Sequence, residues 1–327
     1  MPTHLIGPAD VEAAARRIEG RVRPLLVTPA ESAESVMPPA GGATRPGSVR
    51  LSLALEFLQH TGSFKARGAA NLAAVHLAGG DMPEAGVTIA SGGNAGLACA
   101  WAAQATGTRA TVFLPATAPA VKVAKLRGYH ADVRLVGTEY AHALEASVEF
   151  AQKTGALLSH AYDNPYVAAG AGTLALELLG HAPDVDTVVV SVGGGGLFAG
   201  TAAALTARGV RVVAVEPEHC RALNAALEAG EPVDVDVDSV AADALGARRT
   251  SRTAFELARG PLVTSVLVPD QEITAARRAL WQERRIAVES GAATALAALR
   301  CGAYVPAEGE HVAVVLCGAN TDPSDLT

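Results

Sequence analysis

The stretch LEFLQHTGSFKARGAA, residues 55–70, sets a single lysine, Lys65, among small and weakly polar neighbours. The chain holds 26 lysines and arginines together, yet only Lys65, Lys122, Lys125 and Lys153 are lysines. A lysine kept where arginine supplies nearly all other positive charge points to chemistry that needs an amine. Desolvation lowers its pKa and frees a nucleophilic nitrogen for a Schiff base. Read alone, Lys65 passes for a surface lysine at a helix start; the segments around it decide otherwise.

Three further polar or glycine-rich loops each follow an apolar, strand-like run: SGGNAGLA (91–98) after VTIA, GGGGLFAG (193–200) after TVVVSV, and CGAN (317–320) after VAVVL. Four consecutive glycines opening a helix let backbone N–H groups converge on an anion such as a phosphate at the positive helix end. The plainer reading is a tight strand-to-helix turn. Ser91, Gly92, Gly93 and Asn94 offer hydroxyl, amide and bare backbone donors suited to a carboxylate; alone they would be an ordinary N-cap. With TVFLP, VRLV, RVVAV and LVTSVLV, these runs alternate with Ala/Leu-rich stretches. That is the rhythm of an α/β fold, mostly parallel sheets covered by helices.

Together the four segments resemble the fold type II pyridoxal phosphate (PLP) enzymes, tryptophan synthase β-like in fold, and within them the serine/threonine dehydratases. The resemblance runs from about Leu51 to Asp322 in the family's order and spacing. It implies two domains: a large PLP-binding domain from residues 1–57 and 152–327, and a small one, 58–151, inserted in it. The cofactor would lie in the cleft between them, at strand C-termini. It implies that Lys65 carries the cofactor, that Phe64 stacks on its ring, and that Gly193, Gly194, Gly195, Gly196 and the Leu197 amide hold its phosphate. Asn94 would hydrogen-bond the ring's phenolic oxygen, while Ser91, Gly92, Gly93, Asn94 and Ala95 take the substrate carboxylate. Ala244, in SVAADALGA, would close the other ring face, and Cys317 would lie beside the pyridine nitrogen.

Ala95 stands where many biosynthetic threonine dehydratases and serine racemases have histidine. That substitution, SVAADALGA and Cys317 look like the mammalian-type serine dehydratases. A thiol cannot neutralise a pyridinium as a carboxylate would, so the ring is expected to be unprotonated, which suits β-elimination. Gly92 replaces the serine that racemases of this family use on the opposite face of Cα. Ala171 replaces a glutamine common in the family. Many relatives hold a cation near the residues matching Glu216 and the carbonyls of Cys220, Leu245 and Ala247. With Ala222 where a further oxygen ligand is expected, a monovalent ion is favoured over a divalent one.

At 327 residues and half apolar, the chain has enough for sizeable cores. The net charge of −7 argues against a nucleic-acid partner. Cys99, Cys220, Cys301 and Cys317 show neither paired spacing nor a CxxC, which suits a reducing cytoplasm. No signal-like N-terminus or membrane-length apolar run is seen. VMPPAGGATRPGS, residues 36–48, reads as a loop, and the short stretch after CGAN leaves no room for a regulatory C-terminal domain. The nine histidines lack metal-ligand spacing. Asp234, Asp236 and Asp238 read as a solvated acidic edge, RRALWQERR (277–285) as an exposed helix face, and Glu289 as either a helix cap or a catalytic group.

The resemblance thus implies a PLP-dependent dehydratase: Lys65 removes the Cα proton of L-serine or L-threonine, the β-hydroxyl leaves, and pyruvate or 2-oxobutanoate forms with ammonia. A homodimer is usual for the family. The alternatives are β-replacement with a sulfur nucleophile, elimination from a hydroxyaspartate or an ectoine-derived amino acid, and a silent PLP-binding protein. A nucleotide binder would need an early GxGxxG with an acidic residue about 20 positions on, and none is present.

Overall fold

A computed structural model describes residues 5–33 and 49–326; the loop expected at 36–48 lies outside them. Ten strands form in chain order: β1 (Glu31–Ser32), β2 (Arg50–Ala54), β3 (Val87–Ala90), β4 (Ala110–Leu114), β5 (Asp132–Leu135), β6 (Leu157–Leu158), β7 (Thr187–Ser191), β8 (Arg211–Pro217), β9 (Val263–Val268) and β10 (His311–Val315). They make two sheets, a six-stranded one ordered β1-β2-β10-β7-β8-β9 and a four-stranded one ordered β5-β4-β3-β6. Every pairing is parallel except that of β1 with β2. All residues of β3, β4, β7 and β10 are buried, because helices cover both faces. Their sequences are therefore continuous apolar runs rather than alternating ones.

The helix that begins at the chosen lysine, Lys65–Gly79, ends on Gly80 in the left-handed conformation (φ 69°), a common helix stop. It packs backbone to backbone on helix Pro165–His181: a Cβ on Gly68 would lie 2.7 Å from the Val167 carbonyl, and one on Gly170 2.7 Å from the Arg67 carbonyl. The next contact, of Gly172 with Gly200 of helix Gly196–Leu205, is as close, at 2.4 Å. This stacking is the physical use of the glycine and alanine content.

Arg67, fully buried, fixes the same helix electrostatically. Its Nε and Nη2 reach the two oxygens of Glu56 at 2.7 and 3.0 Å, and its Nη1 reaches Glu177 at 2.5 Å and the Thr173 hydroxyl at 3.2 Å. Removing one partner of such a buried set typically costs about 3–5 kcal/mol, since a charge is left uncompensated.

The expected domain limits do not follow the sheets. Residue 151 falls inside helix Tyr140–Thr154, and β6 pairs with β3 in the four-stranded sheet. Helix Lys65–Gly79 is bound to Pro165–His181, which flanks the larger sheet's core.

Candidate active site

The loops singled out by sequence converge at strand C-terminal ends, where parallel sheets present ligand sites. Ser91–Asn94 follows β3, Gly193–Gly196 follows β7, and Cys317–Asn320 follows β10. Lys65 is brought to them by backbone pairing: Phe64 N donates to the Cys317 carbonyl at 3.0 Å, and Ser63 forms an isolated bridge with Gly318.

The Lys65 amine donates to the Ala161 carbonyl at 2.6 Å and lies 4.8 Å from the centre of the Phe64 ring. Burial pulls its pKa down to about 8, with Cys317 and Glu289 opposing the shift. Only the neutral amine attacks a carbonyl. Uptake of an aldehyde cofactor by cofactor-free protein should therefore accelerate as pH rises through about 8 and level off above it. Stopped-flow absorbance across pH 6–10 checks this, and a pH-independent rate would contradict the burial argument.

In the glycine loop, the amides of Gly193 to Leu197 have no acceptor within the protein among the described residues. Gly195 is left-handed (φ 95°), and a Cβ there would meet Ala254 Cβ at 2.3 Å. Tyr162 covers the loop, its hydroxyl donating to the Arg249 carbonyl at 3.1 Å. Free donors in a crowded turn that opens helix Gly196–Leu205 form an anion cradle.

Asn94 is held on both sides. Its Nδ2 donates to Glu289 at 2.8 and 3.1 Å, and its Oδ1 accepts from Asn320 Nδ2 at 2.8 Å. Glu289 precedes helix Ser290–Arg300, yet its side chain does not cap that helix. Burial raises its pKa, and hydrogen bonds from Asn94 and the Asn320 amide oppose the rise.

A cavity of about 40 Å³ is lined by Gly92, Gly93, Asn94, Ala244 and Glu289, with Lys122 and Asp243 paired at 2.7 Å on its wall. Ser91 and Ala95, half-buried, flank these glycines. Cys317 is buried, and its surroundings push the thiol pKa far up, so it is neutral.

Glu216 lies away from these groups, fully buried at the end of β8. Its two oxygens accept the Leu223 and Asn224 amides at 2.8 Å each, and burial raises its pKa to about 8. Cys220 lies in the turn after β8, and the Leu245 carbonyl accepts the Ala247 amide at 2.9 Å. No group of three or more His, Cys, Asp or Glu able to hold a metal occurs among the described residues.

Asp234, Asp236 and Asp238 are exposed, as expected. RRALWQERR needs correction: Arg277 is buried and binds the Val288 carbonyl, Thr321, the Asp322 carbonyl and Asp325, clamping the segment that follows Asn320. An arginine in a charge-rich helix looks exposed until the chain end folds over it.

This fold and these loops define an enzyme that holds a phosphorylated cofactor against a lysine. The chain belongs to the family described as pyridoxal-phosphate dependent enzymes, whose model matches residues 39–318. It is 37% identical to L-threonine ammonia-lyase of Thermotoga maritima over 83% of this chain and 67% of that protein. With phenylserine dehydratase of Ralstonia pickettii it shares 38% identity, over 85% of this chain and 84% of that one. Maize serine racemase superposes with a TM-score of 0.89 at 27% identity, covering 99% of this chain and 96% of that structure. The residues present fit pyridoxal phosphate: the unpartnered glycine-loop amides suit its phosphate, and the desolvated Lys65 amine suits its aldehyde.

Proposed function

We propose that this chain is a PLP-dependent dehydratase that eliminates water from L-threonine or L-serine and yields 2-oxobutanoate or pyruvate with ammonia. The observation that carries this reading is the Lys65 amine, which lies 4.8 Å from the centre of the Phe64 ring and whose pKa burial pulls down to about 8 against the opposing influence of Cys317 and Glu289. Bound PLP supplies the electron sink for the carbanion. Lys65 takes the proton from the substrate's Cα, a task suited to a base with a pKa near the working pH. Gly193, Gly194, Gly195, Gly196 and Leu197 would hold the phosphate with their amides, and Asn94 would bond the phenolic oxygen. Phe64 and Ala244 would bound the ring, and neutral Cys317 would leave its nitrogen unprotonated. Ser91, Gly92, Gly93, Asn94 and Ala95 would bind the substrate carboxylate.

Further assignments rest on the same reading. The smaller unit is the four-stranded sheet with its helices, residues 87–158, and Lys65 rides with the larger unit through Arg67. A monovalent cation is assigned to Glu216 with the carbonyls of Cys220, Leu245 and Ala247, supported by a buried carboxyl group with no cationic side chain bonded to it among the described residues. The working form is assigned as a cytoplasmic homodimer on the family resemblance alone. No helix among the described residues is long and apolar enough to cross a membrane.

The test is keto-acid formation over a panel of L-serine, L-threonine and bulkier β-hydroxy amino acids. A protein that takes up PLP yet yields no keto acid from any of them would refute the reading.

The likeness to a serine racemase raises racemisation as a second outcome. Racemisation needs an acid on each face of Cα, and Gly92 has no side chain to serve. A Cβ at Gly92 would meet Leu114 Cδ2 at 2.7 Å, the end of a flexible side chain. The parent should therefore release keto acid with little D-serine, whereas Gly92→Ser combined with Leu114→Val should gain measurable D-serine. Chiral chromatography decides, and D-serine formed by the parent as fast as pyruvate would place the second acid elsewhere.

A further inference from the structure

We propose that Glu289, Asn320 and the Thr61 carbonyl are positioning residues that lock the Asn94 side-chain amide in the one orientation that offers an N–H to the cofactor ring. This rests on the reading that PLP binds against Asn94. Two groups that can only accept, the Thr61 carbonyl and the Glu289 carboxylate, stand at the ends of a hydrogen-bond chain. Thr61 O is a carbonyl and accepts from Asn320 Nδ2 at 2.6 Å, so the Asn320 amide cannot be flipped without setting its oxygen against another oxygen. The second Nδ2 proton of Asn320 then needs an acceptor, and Asn94 Oδ1 lies 2.8 Å away. That choice turns Asn94 Nδ2 toward Glu289, whose oxygens lie at 2.8 and 3.1 Å. Glu289 Oε2 is fixed in turn by the Asn320 amide at 3.2 Å, and the Glu289 amide by the Gly318 carbonyl at 3.1 Å. One Nδ2 proton of Asn94 is left over, beside the cavity lined by Gly92, Gly93 and Ala244. A phenolate oxygen needs such a donor and would be repelled by the flipped amide's oxygen.

An independent observation marks the chain as a built device. Thr61 has φ 61° and ψ 7°, a left-handed backbone that a β-branched residue rarely adopts. Gly62 follows, also at positive φ, and a Cβ on it would lie 3.3 Å from Asn320 Nδ2. The turn is thus strained and stripped of a side chain at the point where the Thr61 carbonyl meets Asn320. Thr61 and Asn320 are brought together across 259 positions of sequence, Asn94 and Asn320 across 226.

The test is a double-mutant cycle on the whole chain, read by titration with pyridoxal 5'-phosphate and by the visible absorption maximum of the bound cofactor. Glu289→Gln is nearly isosteric but offers one acceptor to two donors, so Asn94 should turn. Affinity should fall about tenfold, as for a buried group losing its partner, and the maximum should shift in the same direction as in Asn94→Ala. Combining the two substitutions should add nothing to Asn94→Ala. Asn320→Asp, which cannot donate to Thr61 O, should reproduce the shift and supplies the same cycle if Glu289→Gln fails to fold. Additive losses, or an unshifted maximum in both single variants, would overturn the proposal. A parent that takes up no pyridoxal phosphate would instead refute the underlying functional reading.

Discussion

Replacing Lys65 by alanine is expected to abolish keto-acid formation while leaving the fold intact. Lys65 opens helix Lys65–Gly79, and alanine is the best helix former, so the backbone gains rather than loses local preference. The one hydrogen bond removed is that to the Ala161 carbonyl, worth about 0.5–1.5 kcal/mol net. The buried set of Arg67, Glu56 and Glu177, which anchors the helix, is untouched. Loss of a positioned base alone costs about 10²–10⁴ in rate, and on the proposed role of Lys65 the attachment of the cofactor would be lost with it. Lys65→Arg should be as inactive, because a guanidinium stays charged and cannot take a proton. That separates a need for an amine from a need for positive charge. Turnover of Lys65→Ala within tenfold of the parent, with an unchanged melting temperature, would remove Lys65 from the mechanism.

What sequence discloses here follows the range of the interactions concerned. The runs that form β3, β4, β7 and β10 are legible because a strand covered on both faces is spelled locally, in consecutive apolar residues; β5 and β9, at the sheet edges, lack that full burial. β6, only Leu157 and Leu158, carries no such spelling; it exists because it pairs with β3. Lys65 and the glycine loop are legible because rarity and repetition are sequence properties. Tyr162 carries no such signal, and although Arg67 and Asn320 lie inside the SFKARGA and CGAN stretches, nothing local names their partners. Tyr162 matters only because its ring fills the space beside Gly194, and Asn320 because it meets Asn94 across the cleft. For Glu289 the sequence allows cap or catalyst alike; its carboxylate bonds Asn94 across 195 positions, a pairing no local pattern encodes.

Gly194→Ala should markedly weaken the hold on the cofactor. A Cβ there would lie 2.3 Å from three ring carbons of Tyr162, so one of the two must move. Tyr162 is poorly placed to yield: its hydroxyl is bound to the Arg249 carbonyl, and its backbone amide faces His160 Nδ1 at 3.3 Å. The loop is therefore the part that shifts, although the Gly194 carbonyl is also tied, by the Ser251 amide at 3.0 Å. Displacement would spread the amides proposed to hold the phosphate. An overpacking cost of about 1–3 kcal/mol then appears as roughly a 5- to 150-fold weaker hold on pyridoxal phosphate, because the bound form needs the unshifted loop. Tyr162→Ala, combined with Gly194→Ala, opens the space and should return most of the affinity. Gly180→Ala is the control: it is helical with nothing within 4 Å of the added methyl, so it should stabilise the protein slightly and leave affinity alone. Absorbance titration of all four proteins settles the matter. Affinity of Gly194→Ala equal to that of the parent would mean that the phosphate is held somewhere other than on this loop.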